Sequence, residues 1–431
     1  MQQFMSFNRK GYKLPKLSCW ARVTLVSLSI WLLCSLLPIV ATSQESPSAL
    51  FDEVWETVNQ NFYDPKFNSV DWGAMKEKYK PQVKNTKSVE EVVVVINQML
   101  SELNTSHTRL YTQAEPAYYQ LLGIFDGYSE LQQKAKKHLP NGKLEYSGIG
   151  AFTKEIEGKT FAIAILDDSP AAKAGLKVGD EILEADGKPY QPIKSFQDKV
   201  GQKVKLLVRR TADPNSQEEI AIEPKIYNAT QMFLEAQKAS VEIIEKNDRK
   251  IGYIHIWSRV GNERDLRQFE EELIYGRLKG ADGLILDLRD GWGGVDMGYL
   301  RLFAGKSPDI VNTARDGSRN KISYDWEKPV VALVNEGTRS AKEILAFAFQ
   351  KYNIGKVVGS KTAGYVVAGR PFLMKDGNLL YLAVVDVSVD GERLEGKGVT
   401  PDISVPSPIP YAQGADPQKQ RAIEVVLEAI S

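Results

Sequence analysis

Ser340 stands where its surroundings could turn a hydroxyl into a nucleophile. The apolar run Val330 to Val334 predicts a short buried strand, and Asn335, Glu336, Gly337 and Thr338 supply turn chemistry. From Ala341 onward, apolar residues at helical spacing (Ile344, Leu345, Phe347, Ala348) predict an amphipathic helix. The serine is thus expected at a strand-to-helix turn, near free backbone N–H groups and the positive end of a helix dipole. Several hydrolase folds expose a reactive serine in this way, although an ordinary helix N-cap serine shares the pattern.

Acyl transfer would need two further parts. One is a base to take the hydroxyl proton, itself held by a partner. The other is a pair of donors aimed at the developing oxyanion. Gly293 and Gly294 follow the buried strand Gly283 to Leu288 and could bring a backbone N–H close, with the N–H of Ala341 as a second donor. These glycines could equally serve only a tight turn. The chain has three histidines: His107, His138 and His255. His107 follows Ser106 just past a predicted helix, His255 lies in a strand, and His138 lies in a basic surface stretch.

Composition narrows the rest. Lysine plus arginine and aspartate plus glutamate both number 55, so the net charge is zero and no polyanionic partner such as nucleic acid is favoured. Both cysteines, Cys19 and Cys34, fall in the leader, which leaves no disulfide, thiolate or cysteine metal site beyond it. With so few histidines no metal site is expected, and no cofactor is implied. Arg9, Lys10, Lys13, Lys16 and Arg22 precede the uncharged stretch Val23 to Ala41, and Ala41-Thr-Ser43 is a fitting cleavage site. Residues 1–43 therefore read as a signal peptide, with an uncleaved membrane anchor as the alternative. The expected location is periplasmic or extracellular, possible membrane association included.

Residues 44–143 read as helical: Leu50, Val54, Val58 and Phe62 keep helical spacing, and Ser88-Val-Glu-Glu91 opens a second helix with a capping pattern. Residues 144–226 are β-rich, with runs at Phe161 to Leu166, Val204 to Arg209 and Glu219 to Ile222. Residues 227–431 alternate strands and helices, which predicts a layered α/β core.

Two resemblances sharpen this outline. Ser169-Pro-Ala-Ala-Lys-Ala-Gly-Leu-Lys-Val-Gly-Asp-Glu-Ile-Leu183 followed by Asp186-Gly187 closely resembles the PDZ domain. By that resemblance Gly148, Ile149 and Gly150 form the loop whose amides receive a peptide carboxylate, and the substrates would be proteins or peptides with apolar C-termini. The segments Asp287 to Gly294, Asn335 to Ile344, Val358 to Gly364 and Gly396 to Asp402 stand in the order seen in carboxyl-terminal processing proteases. That family resemblance implies a crotonase-like (ClpP/tricorn-type) serine protease core with an inserted PDZ domain.

The chain departs from the family at two places. Tyr365 occupies the position of the lysine base of the bacterial Ser–Lys enzymes, and a phenol of pKa about 10 is a poor base. Gly291 stands where relatives usually carry Asn. The segment Leu103 to Thr108 instead resembles that of the tricorn core protease and its relatives, which use a Ser–His–Ser–Glu tetrad. The resemblance implies Ser340 as nucleophile, His107 as base, and Ser106 with Glu395 orienting the imidazole. A base of reference pKa about 6.5 would place the acid limb of activity near that value. The competing reading is a catalytically silent PDZ adaptor of the same fold. An acyl-CoA hydratase of the same superfamily fits neither the leader nor the PDZ module.

Overall fold

The parallel strands of the core are buried on both faces, which is why they read as continuous apolar runs. In the computed structural model they lie in the order Glu242–Lys246, Arg249–His255, Gly283–Asp287, Val330–Val334, Lys356–Gly359, Ile403–Ser404. Only the first pair is antiparallel. Alternation sorts the side chains between two layers. Leu284, Leu286, Ala332 and Val334 pack against the helices Arg264–Ile274, Gly298–Ala304 and Ala341–Lys351. Ile285, Val331 and Leu333 pack against Ala422, Ile423 and Val426 of the helix Pro417–Ile430. The structure describes residues 47–430 apart from 306, 307, 309, 323 and 408, so the expected leader lies outside the described residues. Among the described residues no helix is long and apolar enough to cross a membrane.

The β-rich module has a sheet in the order Ala151–Ile156, Lys159–Ile165, Glu181–Ala185, Val204–Arg209, Gln217–Ile222. Its short helix Pro170–Lys173 is capped by Ser169, whose Oγ accepts from Ala172 N at 3.1 Å. The strand that enters the module, Glu145–Gly148, pairs antiparallel with the strand that leaves it, Lys225–Asn228. The two connections thus hydrogen-bond to each other, and the insert departs and returns at one place.

Three helices, Pro47–Asn61, Trp72–Lys84 and Val89–Ser101, build the N-terminal layer. Ser88 caps the third as its pattern predicts, accepting from Glu91 N at 3.2 Å. The middle helix, capped by Asp71, has weaker periodicity and is not anticipated from the sequence. The apolar face of this layer is covered by a hairpin from the other end of the chain. Arg109–Tyr111 pairs with Leu379–Val385, which pairs with Ala368–Leu373. Leu380, Leu382 and Ala383 share a core with Phe51, Val54, Ile96 and Leu100. This pairing crosses the expected partition of residues 44–143 from 227–431, because three amphipathic helices alone leave one face unburied. It also carries the Ser106-His107 loop to the end of the parallel sheet.

Candidate active site

Four loops meet beyond the C-terminal ends of the parallel strands, where open α/β sheets place their ligands. They line a cleft of about 890 Å³ with His107, Trp292, Arg339, Thr362 and Tyr365 among its walls. Lys154, Ile156 and Ile163 of the β-rich module form a further wall.

Ser340 is the N-cap of the helix Ala341–Lys351, with φ 59° and ψ −133°. A residue with a side chain seldom adopts this conformation, which costs of order 1–3 kcal/mol and persists only where the surroundings enforce it. Two hydrogen bonds from its own backbone N–H, one to a carbonyl and one to a carboxylate, enforce it here. The Ser340 N–H donates to Tyr365 O at 2.8 Å and to Glu343 Oε2 at 3.2 Å. Gly293 lies against the serine: a Cβ at 293 would sit 2.3 Å from Ser340 Cβ and 2.9 Å from its Oγ. Only glycine permits that approach. Gly294 faces elsewhere, toward Arg259 and Ile124. Among the described residues the N–H groups of Gly293, Gly294 and Ala341 donate to no protein acceptor. Gly291 has φ 63°, and a Cβ there would lie 2.1 Å from Trp257 O, which accounts for the missing side chain.

Two buried carboxylates hold the segment that follows the strand Lys356–Gly359. Glu343 accepts from Thr362 Oγ1 at 2.5 Å, Gly364 N at 2.7 Å and Tyr365 N at 2.7 Å. Glu395 accepts from Val366 N at 2.6 Å and Val367 N at 3.0 Å, and also from Ser106 N at 3.0 Å and Ser106 Oγ at 3.1 Å. Burial pushes the Glu343 carboxyl up, against its hydrogen bonds. For Glu395 burial also opposes ionisation, but its backbone donors prevail and hold the carboxyl low. Glu395 therefore ties the loop of residues 105–107 to the loop that touches Ser340.

His107 lies on that loop with φ 55°, its ring stacked on Tyr381 at 5.1 Å between centroids. Burial, reinforced by the Arg339 guanidinium and opposed by Glu395, pulls its pKa down to about 4. An acid limb set by this imidazole is accordingly expected below the reference value. Ser106 and Glu395 are joined to each other, but among the described residues no hydrogen bond links the imidazole to them or to Ser340 Oγ. The other histidines lie apart: His255 stacks on Trp257 at 3.8 Å, and His138 lies against Gly377.

The loop at Gly148, Ile149 and Gly150 does not face an open groove. Ile149 is buried, and its carbonyl accepts from Ala171 N at 2.9 Å. A Cβ at Gly150 would be 2.2 Å from Tyr227 Oη. The adjoining space, lined by Tyr146, Phe152, Tyr190 and Met232, is about 10 Å³, no more than one water needs. Aromatic side chains fill the place where a peptide end was expected.

Two neighbours of the serine escape sequence reasoning. Glu343 is legible in hindsight from the capping-box spacing Ser340-x-x-Glu343. Lys342 gives no such signal. It is fully buried, and its ammonium meets the carbonyl oxygens of Ile256, Trp257 and Arg289 at 3.3 Å each and that of Asp290 more closely. It clips the end of one strand to the loop that leads to Gly293. Tyr365 is half-exposed on the cleft wall, and its carbonyl rather than its phenol contacts Ser340. Among the described residues no cluster of His, Cys, Asp or Glu could hold a metal ion.

The peptidase family S41 model matches residues 250–405, the tricorn protease C1 domain model residues 43–101, and the PDZ domain model residues 163–210. A carboxyl-terminal-processing protease of Synechocystis sp. is 27% identical over 402 residues, covering 88% of this chain and 86% of its own. The carboxy-terminal processing protease CtpA of Bacillus subtilis is 28% identical over 341 residues, covering 70% of each chain. Two solved structures share the fold. The photosystem II D1 C-terminal processing protease has a TM-score of 0.50 at 21% identity, covering 86% of this chain and 98% of that one. The tricorn protease has a TM-score of 0.54 at 20% identity, covering 90% of this chain and 37% of that one. The α/β core thus carries an S41 peptidase region, the β-rich module a PDZ domain and the helical layer a tricorn C1 region, and over most of its length the chain is similar to carboxyl-terminal processing proteases, which supports a serine-type peptidase.

Proposed function

We propose that this chain is an exported endopeptidase that engages protein C-termini through its PDZ module and cleaves peptide bonds through an acyl-enzyme on Ser340. The observation that carries the reading is the enforced backbone conformation of Ser340 at the end of a buried strand, with Gly293 packed on its side chain. Ser340 Oγ attacks the substrate carbonyl and its proton passes to His107. The oxyanion takes hydrogen bonds from the N–H groups of Gly293 and Ala341. The C–N bond breaks as His107 returns the proton to the amine, and water then hydrolyses the ester by the same relay.

His107 acts from a loop that Glu395 and Ser106 hold in place. Substrate binding has two things to supply: a closed Ser340–His107 hydrogen bond, and an opened space beside Gly148 to Gly150 for an apolar C-terminus. Export, to the periplasm or beyond, rests on the basic and then apolar leader of residues 9–41. A fluorophosphonate probe tests the centre. Labelling lost in Ser340→Ala and His107→Gln but kept in Tyr365→Phe supports the histidine enzyme. Labelling that survives His107→Gln assigns the base elsewhere, and no labelling at all supports a silent adaptor.

A further inference from the structure

The cleft is rich in donors that have nothing to donate to. Arg339 immediately precedes Ser340 and lines the cleft, its guanidinium lying 4.5 Å from the Trp292 ring centroid. Among the described residues it has no carboxylate partner and no hydrogen bond. Tyr111 meets the same indole edge-on at 6.3 Å, and Tyr381 carries the His107 ring. Both phenols line the cleft, and among the described residues neither hydroxyl is hydrogen-bonded to protein. The positive charge of Arg339 acts on both of them.

The wider charge balance points the same way. Lys154 and Lys361 line the cleft and are unpaired among the described residues, whereas Arg109 is spent on Glu115 at 2.7 Å. Against them stand Glu336 and Asp290, and burial pushes the Asp290 carboxyl toward its neutral form. An unpaired guanidinium spread on an indole keeps its edge N–H groups free for a planar, bidentate anion, and a carboxylate fits that fork.

We propose that Arg339, with the hydroxyls of Tyr111 and Tyr381, forms a carboxylate-binding subsite beside Ser340, so that this peptidase selects peptides carrying a carboxylate next to the scissile bond. The inference rests on Ser340 as the reacting residue. The carboxylate comes either from an acidic side chain or from the substrate's own C-terminus, and the two sources are separable.

The test is equilibrium binding of fluorescent peptides to the full-length Ser340→Ala protein. Three peptides differ only in one group: glutamate beside the scissile position with an amidated end, glutamine there with an amidated end, and glutamine there with a free acid placed near that bond. At least one of the two acids is expected to bind about tenfold or more tightly than the neutral peptide, as a charge-assisted pair does. The glutamate peptide winning assigns the side chain, and the free acid winning assigns the terminus. Adding Arg339→Gln is expected to abolish the preference, and Arg339→Lys to keep part of it. A merely structural arginine would weaken all three peptides alike. Equal affinities, or a preference that survives Arg339→Gln, overturn the proposal. Should Ser340→Ala still hydrolyse the peptides, the nucleophile assignment fails, while the binding comparison decides the subsite by itself.

Discussion

Replacing Glu395 by glutamine should loosen the His107 loop and the Ser340 loop together. The carboxylate accepts from Ser106 N and Oγ and from Val366 N and Val367 N, all within 3.1 Å. An amide keeps one acceptor oxygen. Facing Val366 and Val367, which both use Oε2, it must turn its NH₂ toward the Ser106 N–H. The two backbone hydrogen bonds that remain, from Val366 and Val367, lose charge assistance, about 1 kcal/mol each, the Ser106 hydroxyl is free to rotate, and the donor–donor conflict adds about 1–3 kcal/mol. The sum is about 3–5 kcal/mol, released locally because the segments at 105–107 and 366–367 have no other shared anchor of this kind. Amide hydrogen exchange reads it directly: protection at Ser106, Val366 and Val367 should fall by about two to three orders of magnitude at 1.4 kcal/mol per decade, with the parallel sheet unaffected. Peptidase activity should fall with it. If protection at these three amides drops less than tenfold, Glu395 is not the tie between the two loops.

Other perturbations bear on the same centre. The neutral imidazole is the proton acceptor, and burial with Arg339 pulls His107 down to about 4, so kcat/KM should climb through about pH 4 and be flat from there to neutrality. Arg339→Gln removes one cause of that lowering and should move the limb upward. The same shift makes stability pH-dependent. The unfolded chain takes up a proton near the reference value of about 6.5, before the folded one does, so denaturation midpoints should fall as pH drops from there toward about 4 and be insensitive to this group above it. Lys342→Met keeps the stem but leaves the carbonyls of Ile256 and Asp290 without their donor, while Trp257 O keeps a bond from Trp292 N at 3.0 Å. It should destabilise by about 2–4 kcal/mol in urea titrations, less than the full cost of two bare carbonyls because an ammonium is no longer buried. Gly293→Ala drives a methyl to 2.3 Å from Ser340 Cβ and should abolish fluorophosphonate labelling while the far-ultraviolet circular dichroism is retained.

Local pattern determined a good part of this protein. The strand Val330–Val334, its turn, and the helix Ala341–Lys351 are legible because a run buried on both faces and an amphipathic stripe are properties of consecutive residues. The PDZ signature, the S41 segments and the Ser88 cap are readable for the same reason. The weakly periodic helix Trp72–Lys84 is not, since its burial depends on neighbours that no window contains.

Only the tertiary structure decided the rest. The hairpin Ala368–Leu373 with Leu379–Val385 covers helices some three hundred residues upstream, and nothing local announces that pairing. Glu395 reaches Ser106 across 289 positions of sequence, and Lys342 turns from the cleft to collect carbonyls from two separate loops. Side-chain type is written in the chain, and so are the periodicities that make strands and helices. Which donor meets which carboxylate, how far burial lowers an imidazole, and whether a peptide groove is open are set by distances between segments remote in sequence. Electrostatics and packing act on those distances, so they exist only once the chain has folded.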